Sequence, residues 1–288
     1  MATEKPAVIR GPTDPVPDLL GALRRFALDR FPPLQVADVR VGLVYTAVRL
    51  EDGGTGVART GAEGGRCADH DWPRPLAGSS SQCLIELLMS SDLAARAVGL
   101  ACVNALANRP GLPLTAGDVL EGLLLNPTDT VAMVGKFEPL LSPLRRRVRC
   151  VHVFEQHSEP DVLPAENARH FLPGCNLALI TSTALLNDTL GGLLRYTRHC
   201  RAVVLMGPST PLLADFFWPL GVSRLAGIVV EQPDALLQAI SEGGGTPHFL
   251  PFARKVVLEL ERVEVTTVGF DHEQILTEST RREPKVND

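Results

Sequence analysis

The residues best suited to chemistry in this sequence fall in three short stretches. In "TSTALLNDTLGGLL" (181–194) an apolar run passes into a helical pattern, yet its first nine positions carry four hydroxyls, an Asn and an Asp. In "VGKFEP" (134–139) Gly135 closes a buried run, and Glu155 closes the next such run 20 residues later. In "MGPSTPLLADF" (206–216) Gly207 and Pro208 force a tight exit before Ser209 and Thr210. A strand-end glycine followed by an acid about 20 residues on can hold an adenosine ribose, because one carboxylate accepts from both sugar hydroxyls. A single glycine of that fingerprint is present, so a turn glycine and a solvated acid are the plainer reading of the pair.

Thr183 is placed to cap a helix, its hydroxyl accepting from an N–H of the first turn. Asn187 then falls about one turn in, on the side of the strand ends, where its amide can join the hydroxyl of Thr181. Local hydrogen bonding is the alternative for Asn187. Gly191 and Gly192, each weakening a helix by about 1 kcal/mol relative to Ala, imply a short helix or a close contact behind the site. Ser209 or Thr210 can cap a helix starting at Pro211. The convergence of small, polar and glycine residues at three neighbouring strand ends points to a ligand pocket.

Metal and nucleophile chemistry find less support. The seven histidines (His70, His152, His157, His170, His199, His248 and His272) show no HxxxH or HxH spacing, as a sequence-encoded zinc site would. There is no GxSxG elbow. The six cysteines (Cys67, Cys83, Cys102, Cys150, Cys175 and Cys200) form no CxxC pair, and they read as reduced, structural thiols. The basic run "RRRVR" (145–149) reads as a solvated helix end.

Two kinds of element must position these groups. Residues 15–31 place Leu19, Leu20, Leu23, Phe26, Ala27 and Phe31 on one helical stripe. Then "VADVRVGLVYTAVRLEDGGTGVART" gives two β-rich runs around "EDGG", a hairpin signal. Two helices follow, the second capped by Ser91 or Asp92 and ending near Asn108 and Pro110. From about residue 116 the pattern changes to short apolar runs at 130–135, 149–155, 177–182, 202–209 and 225–230, separated by helical stretches. Continuous Val, Ile and Leu runs suit a parallel sheet buried on both faces. The expected fold is therefore α/β, a C-terminal Rossmann-like parallel sheet with a smaller N-terminal α+β domain. The expected boundaries are 1–115, 116–258 and a C-terminal extension, 259–288, with a strand at "VEVTTV" (263–268) and a mobile end.

A chain of 288 residues can bury a sizeable core. Its net charge of −5 is spread over 28 basic and 33 acidic residues, so nucleic acid is a poor partner. No run reaches the roughly 18 apolar residues that cross a bilayer, and "MATEKPAVIRGP" lacks the order of a signal peptide. A cytoplasmic protein without a membrane partner is expected.

The ordered set "VRVGLVYTAV", "LAGSSSQCLIELLMSSDLAARAVGLACVNAL", "VAMVGKFEPL", "VFE", "LALITSTALLNDTL", "VVLMGPSTPL" and "LAGIVV" resembles the prokaryotic family described as "putative heavy-metal chelation", otherwise of unknown function. The resemblance covers about residues 36–258. It implies an N-terminal domain similar to that of enolase, packed on a Rossmann-like domain, with a site at their interface. Enolase chemistry is not implied, because its catalytic groups belong to a barrel this chain lacks. The matching positions are Gly135, Glu155, Thr181, Thr183, Asn187, Gly207, Pro208 and Ser209, with Tyr45, Thr46 and Asn104 from the N-terminal side.

The leading expectation is thus an enzyme or binding protein for a small polar or metal-chelating molecule, in heavy-metal chelation or chelator biosynthesis. Glu155 and Asn187 are its catalytic candidates, Glu155 as base or hydroxyl acceptor, and a homo-oligomer is one possible state. No resident cofactor or metal is assigned. Two alternatives stay open: a nucleoside-cofactor enzyme using S-adenosylmethionine or NAD, and a non-catalytic sensor or assembly protein in metal homeostasis.

Overall fold

A computed structural model describes residues 18–61, 75–157 and 159–260. The expected strand at 263–268, the mobile end, Cys67, His70 and His272 lie outside the described residues.

The N-terminal unit begins with α1 (Leu19–Arg30), capped by Asp18, whose carboxylate accepts the Gly21 N–H at 2.8 Å. Such a cap contributes about 1 kcal/mol. Leu19, Leu20, Leu23 and Ala27 form its buried stripe. Three antiparallel strands follow: β1 (Val36–Val41), β2 (Tyr45–Leu50) and β3 (Thr55–Arg59), in the order β1-β2-β3. The expected hairpin is therefore a three-stranded meander. The Gly42 N–H donates to the Tyr45 carbonyl at 3.0 Å and turns the chain between β1 and β2, a break that the β-rich stretch from 36 to 50 conceals.

The next helices, α2 (Ser81–Glu86) and α3 (Leu93–Ala107), follow the expected order. The α3 cap is Asp92, accepting from the Ala94 N–H at 2.8 Å. All residues of α3 from Ala97 to Ala107 are buried, as a helix apolar on all sides requires. It runs through the middle of the molecule.

The C-terminal unit is an eight-stranded sheet. Its strands are β4 (Thr115–Ala116), β5 (Thr130–Val134), β6 (Cys150–Glu155), β7 (Leu163–Pro164), β8 (Leu177–Thr181), β9 (Ala202–Met206), β10 (Arg224–Val230) and β11 (Ala253–Glu259). They lie in the order β4-β11-β10-β9-β8-β5-β6-β7. From β7 to β10 all pairings are parallel, while β11 runs antiparallel to both β10 and β4. Counted from β5, the parallel part has the order 3-2-1-4-5-6 of a Rossmann fold. The connecting helices are α4 (Glu138–Arg145), α5 (Ala168–Phe171), α6 (Thr183–Leu186), α7 (Leu190–Arg195), α8 (Ala214–Phe217), α9 (Pro233–Ser241) and α10 (Thr246–Phe249). Among the described residues no helix is long and apolar enough to cross a membrane.

Alternation along the strands divides the core. Val131 and Met133 of β5 pack with Leu140, Leu141 and Leu144 of α4 on one face. Ala132 and Val134 join a second cluster that continues through Leu100 and Val103 of α3 to Leu20 and Leu23 of α1. A third cluster sets Tyr45, Ala47 and Val57 against Ile228, Leu236, Leu237, Ile240 and Phe249. The meander therefore packs on α3 with one face and on β10, α9 and α10 with the other.

Two local expectations are corrected. Residues 181–194 do not form one helix: α6 ends at Leu186, and Asp188 has a φ of 57°, which breaks the chain before α7. A Cβ on Gly192 would meet nothing within 4 Å, so α7 is a short helix without a close contact there. No helix starts at Pro211 either. The first helical residue is Ala214, with no side-chain cap, because Ser209 and Thr210 bond elsewhere.

Candidate functional site

The chain leaves β5 toward β6 and β7, then crosses back to β8. That reversal puts the carboxyl ends of β5 and β8 side by side, the place where doubly wound sheets take ligands. Gly135 follows β5 with a φ of 88°, and a Cβ there would lie 2.8 Å from both Cβ and Cγ2 of Thr181, the last residue of β8. Only glycine fits both the backbone angle and the space. Gly207 follows β9 with a φ of 116°. Between the two glycines lies the half-buried ring of Phe137, 3.6 Å from a Cβ built on either one.

The hydroxyls of the opening stretch divide into two sets. Thr181 Oγ1 is 2.9 Å from Thr183 Oγ1 and accepts the Thr183 N–H at 3.3 Å. Thr183 is thus the first helical residue and not the cap. Thr181 serves the helix start instead, and both side chains stay half-buried at the strand ends. Ser182 turns inward: it is fully buried, and its hydroxyl lies 2.6 Å from Thr210 Oγ1. Thr210 Oγ1 donates to the Gly207 carbonyl at 2.7 Å, so Ser182 is the donor in their shared bond.

The other predicted residues are more widely placed. Glu155 ends β6, where its carboxylate accepts the backbone N–H groups of Lys136 and Gln156. Lys136 Nζ lies 2.6 Å from Glu138 and 3.2 Å from Glu159, and these two hydrogen-bonded carboxylates raise its pKa. Asn187 Oδ1 accepts from the Thr189 N–H at 3.3 Å and the Thr189 hydroxyl at 2.7 Å, the local bonding set out above as the alternative. Pro208 is half-buried beside Gly207. Buried Ser209 accepts the Arg59 N–H at 2.9 Å.

The three N-terminal candidates are buried and bonded within the protein. The Tyr45 hydroxyl lies 2.9 Å from Thr246 Oγ1, with the ring edge-on to Phe249 at 4.8 Å. Thr46 Oγ1 is 2.9 Å from Thr60 Oγ1. Asn104 donates to the Val57 carbonyl at 2.7 Å, while its buried Oδ1 lacks a partner.

Three positions that patterning did not single out hold the units together here. Asn108, at the end of α3, donates to the carbonyls of Thr210 (2.9 Å) and Ile228 (3.3 Å) and accepts the Leu212 N–H at 2.8 Å. Arg96 Nη1 donates to the Leu186 carbonyl at 2.9 Å. Arg59 contributes its main chain. The sequence marks Asn108 as a helix end, Arg59 as a strand end and Phe137 as the aromatic two residues past Gly135, signals of position and not of partner.

Among the described residues no three His, Cys, Asp or Glu side chains are grouped to hold a metal ion. Cys150 lies 3.7 Å from Nε2 of His152, at the amino end of β6 and away from the strand ends described above. Burial pushes the Cys102 thiol up to about 12 and that of Cys175 to about 11, which suits packing and not ligation. Soft heavy metals take thiolate and imidazole donors. Hydroxyls, backbone and one carboxylate do not fit that role.

This Rossmann-like sheet with an antiparallel meander packed against it is shared with known proteins. Two family models, both described as "Putative heavy-metal chelation", match residues 24–107 and 118–259, and the chain belongs to that family. An uncharacterized protein of Methanocaldococcus jannaschii is 26% identical over 237 residues, covering 79% of this chain and 91% of its own. A crystal structure of a protein of unknown function from Pyrococcus horikoshii aligns with a TM-score of 0.75 and 24% identity, over 84% of this chain and 99% of the other. A second, from Desulfitobacterium hafniense, gives 0.72 and 21%, over 83% and 98%. Both solved relatives speak to the fold.

Proposed function

We propose that the chain binds a small polar molecule of the metal-chelating kind at the carboxyl ends of β5, β8 and β9, on the side facing the N-terminal unit. The hydroxyl pair of Thr181 and Thr183, set between the bare backbones of Gly135 and Gly207, carries this reading. Two half-buried hydroxyls and glycine backbone offer donors and acceptors for orientation without a charge of their own. The family description supports a metal as cargo or as part of the ligand, and the donor set supports contact through the chelator. Any chemical step would fall to Glu155 and the amide of Asn187, whose Oδ1 already serves Thr189. The nucleoside-cofactor reading is weakened because both oxygens of Glu155 already accept backbone N–H groups, which leaves fewer acceptor sites for two ribose hydroxyls.

Calorimetric titration with bare divalent metals, free carboxylate and amine chelators, their metal complexes, S-adenosylmethionine and NAD tests the proposal. At least one chelator or complex binds the native chain, and Thr181→Val weakens it by about tenfold, the scale of one lost hydrogen bond. Binding of S-adenosylmethionine or NAD alone, or of nothing in the panel, overturns it.

A further inference from the structure

We infer that Arg59 anchors an anionic group, a carboxylate or a phosphoryl, on the molecule bound at these strand ends. The inference rests on the reading above that the ligand lies there. Arg59 is the last residue of β3 and stands directly opposite Tyr45 in the register, so the two side chains share one face of the meander. That face is the one turned to the C-terminal unit, because Tyr45 and Val57, the latter two residues before Arg59, pack against Ile228 and α9.

Main-chain bonding fixes the arginine at the site. Its N–H donates to Ser209 Oγ, two residues past Gly207, and the next residue, Thr210, is joined to Ser182 between Thr181 and Thr183. The guanidinium itself is exposed and makes no hydrogen bond or ion pair among the described residues. The neighbouring charges at these strand ends are engaged: Lys136 with Glu138 and Glu159, and Glu155 with backbone N–H groups. A guanidinium presents five donors in a planar fork that matches carboxylate or phosphate oxygens two at a time. Small polycarboxylates are chelators that carry such a group.

The test uses the full chain with citrate, inorganic phosphate and the uncharged chelator 2,2′-bipyridine, titrated at low and high salt. The native chain binds citrate or phosphate more tightly than bipyridine, and the stronger anion identifies which oxyanion the site takes. Arg59→Gln weakens that anion by about tenfold or more and flattens its salt dependence, while Arg59→Lys weakens it less. The melting temperature is unchanged, since the structural tie is through the main chain. Equal binding by Arg59→Gln, with Thr181→Val still impaired, overturns the role of Arg59 and leaves the site standing. Binding unaffected by either variant, or a native chain that takes neither anion, overturns the anchor, and the former result removes the site as well.

Discussion

The backbone of Gly135 lies against the side chain of Thr181 so closely that a single added carbon would come within 2.8 Å of two of its atoms. These residues lie at the ends of the two strands at which the sheet reverses its order. Gly207, at the next strand end, shares the positive φ, but a Cβ there would make only ordinary contact with Phe137, at 3.6 Å.

This difference separates two substitutions. Gly135→Ala meets both backbone strain and a clash, and it destabilises the chain by about 2 to 4 kcal/mol. Gly207→Ala meets strain alone, about 1 to 2 kcal/mol. Urea unfolding of both variants checks the order, and equal losses would contradict the packing described here.

Asn108 satisfies three buried backbone groups with one amide. Asn108→Ala leaves two carbonyls and an N–H unpaired and costs about 2 to 4 kcal/mol. Asn108→Asp keeps the acceptor for Leu212 but sets a negative charge against the carbonyls of Thr210 and Ile228. Its loss is therefore larger at neutral pH and shrinks as the carboxyl takes up a proton, a trend that melting temperatures from pH 7 to pH 4 would show.

Asp52 and Arg109 supply a pH-dependent term away from the site. Burial alone would raise the Asp52 pKa, but the hydrogen bonds from Arg109, at 3.0 to 3.1 Å, and from the Gly54 N–H outweigh it and hold the group below its usual value. A carboxylate with a depressed folded-state pKa contributes stability above its unfolded value, near 4, and loses it as pH falls through the folded one. The melting-temperature gap between the native chain and Asp52→Asn is thus constant near neutrality and closes below about pH 4. The pair is half exposed, so the gap is small.

Five of the six parallel strands were legible because each is a largely apolar run of the kind a parallel sheet covered on both faces requires, whereas β7, two residues long, carries no such pattern. Strand β11 was missed: it runs antiparallel between β10 and the two-residue β4, and its "ARKVVLE" mixes charge with apolar residues. The strand ends of the proposed site were legible as positions. Gly135, Thr181 and Gly207 follow from where the apolar runs stop. Their partners were not legible, since Ser209 meets Arg59 across 150 residues of sequence, and nothing local to "GPSTP" distinguishes a helix cap from such a long-range bond. The bonding of Asn187 is the opposite case, so local that it ends the helix it was expected to continue.

The family models divide this chain into two stretches, yet α3, within the first, is buried from Ala97 to Ala107 and shares a core cluster with Ala132, Ile180 and Leu225 of the second. Heredity can describe the stretches separately, but water cannot reach one without stripping the other. The strand ends proposed to take the ligand are therefore backed by a core that both stretches share, and core substitutions far from them are expected to weaken ligand binding along with stability.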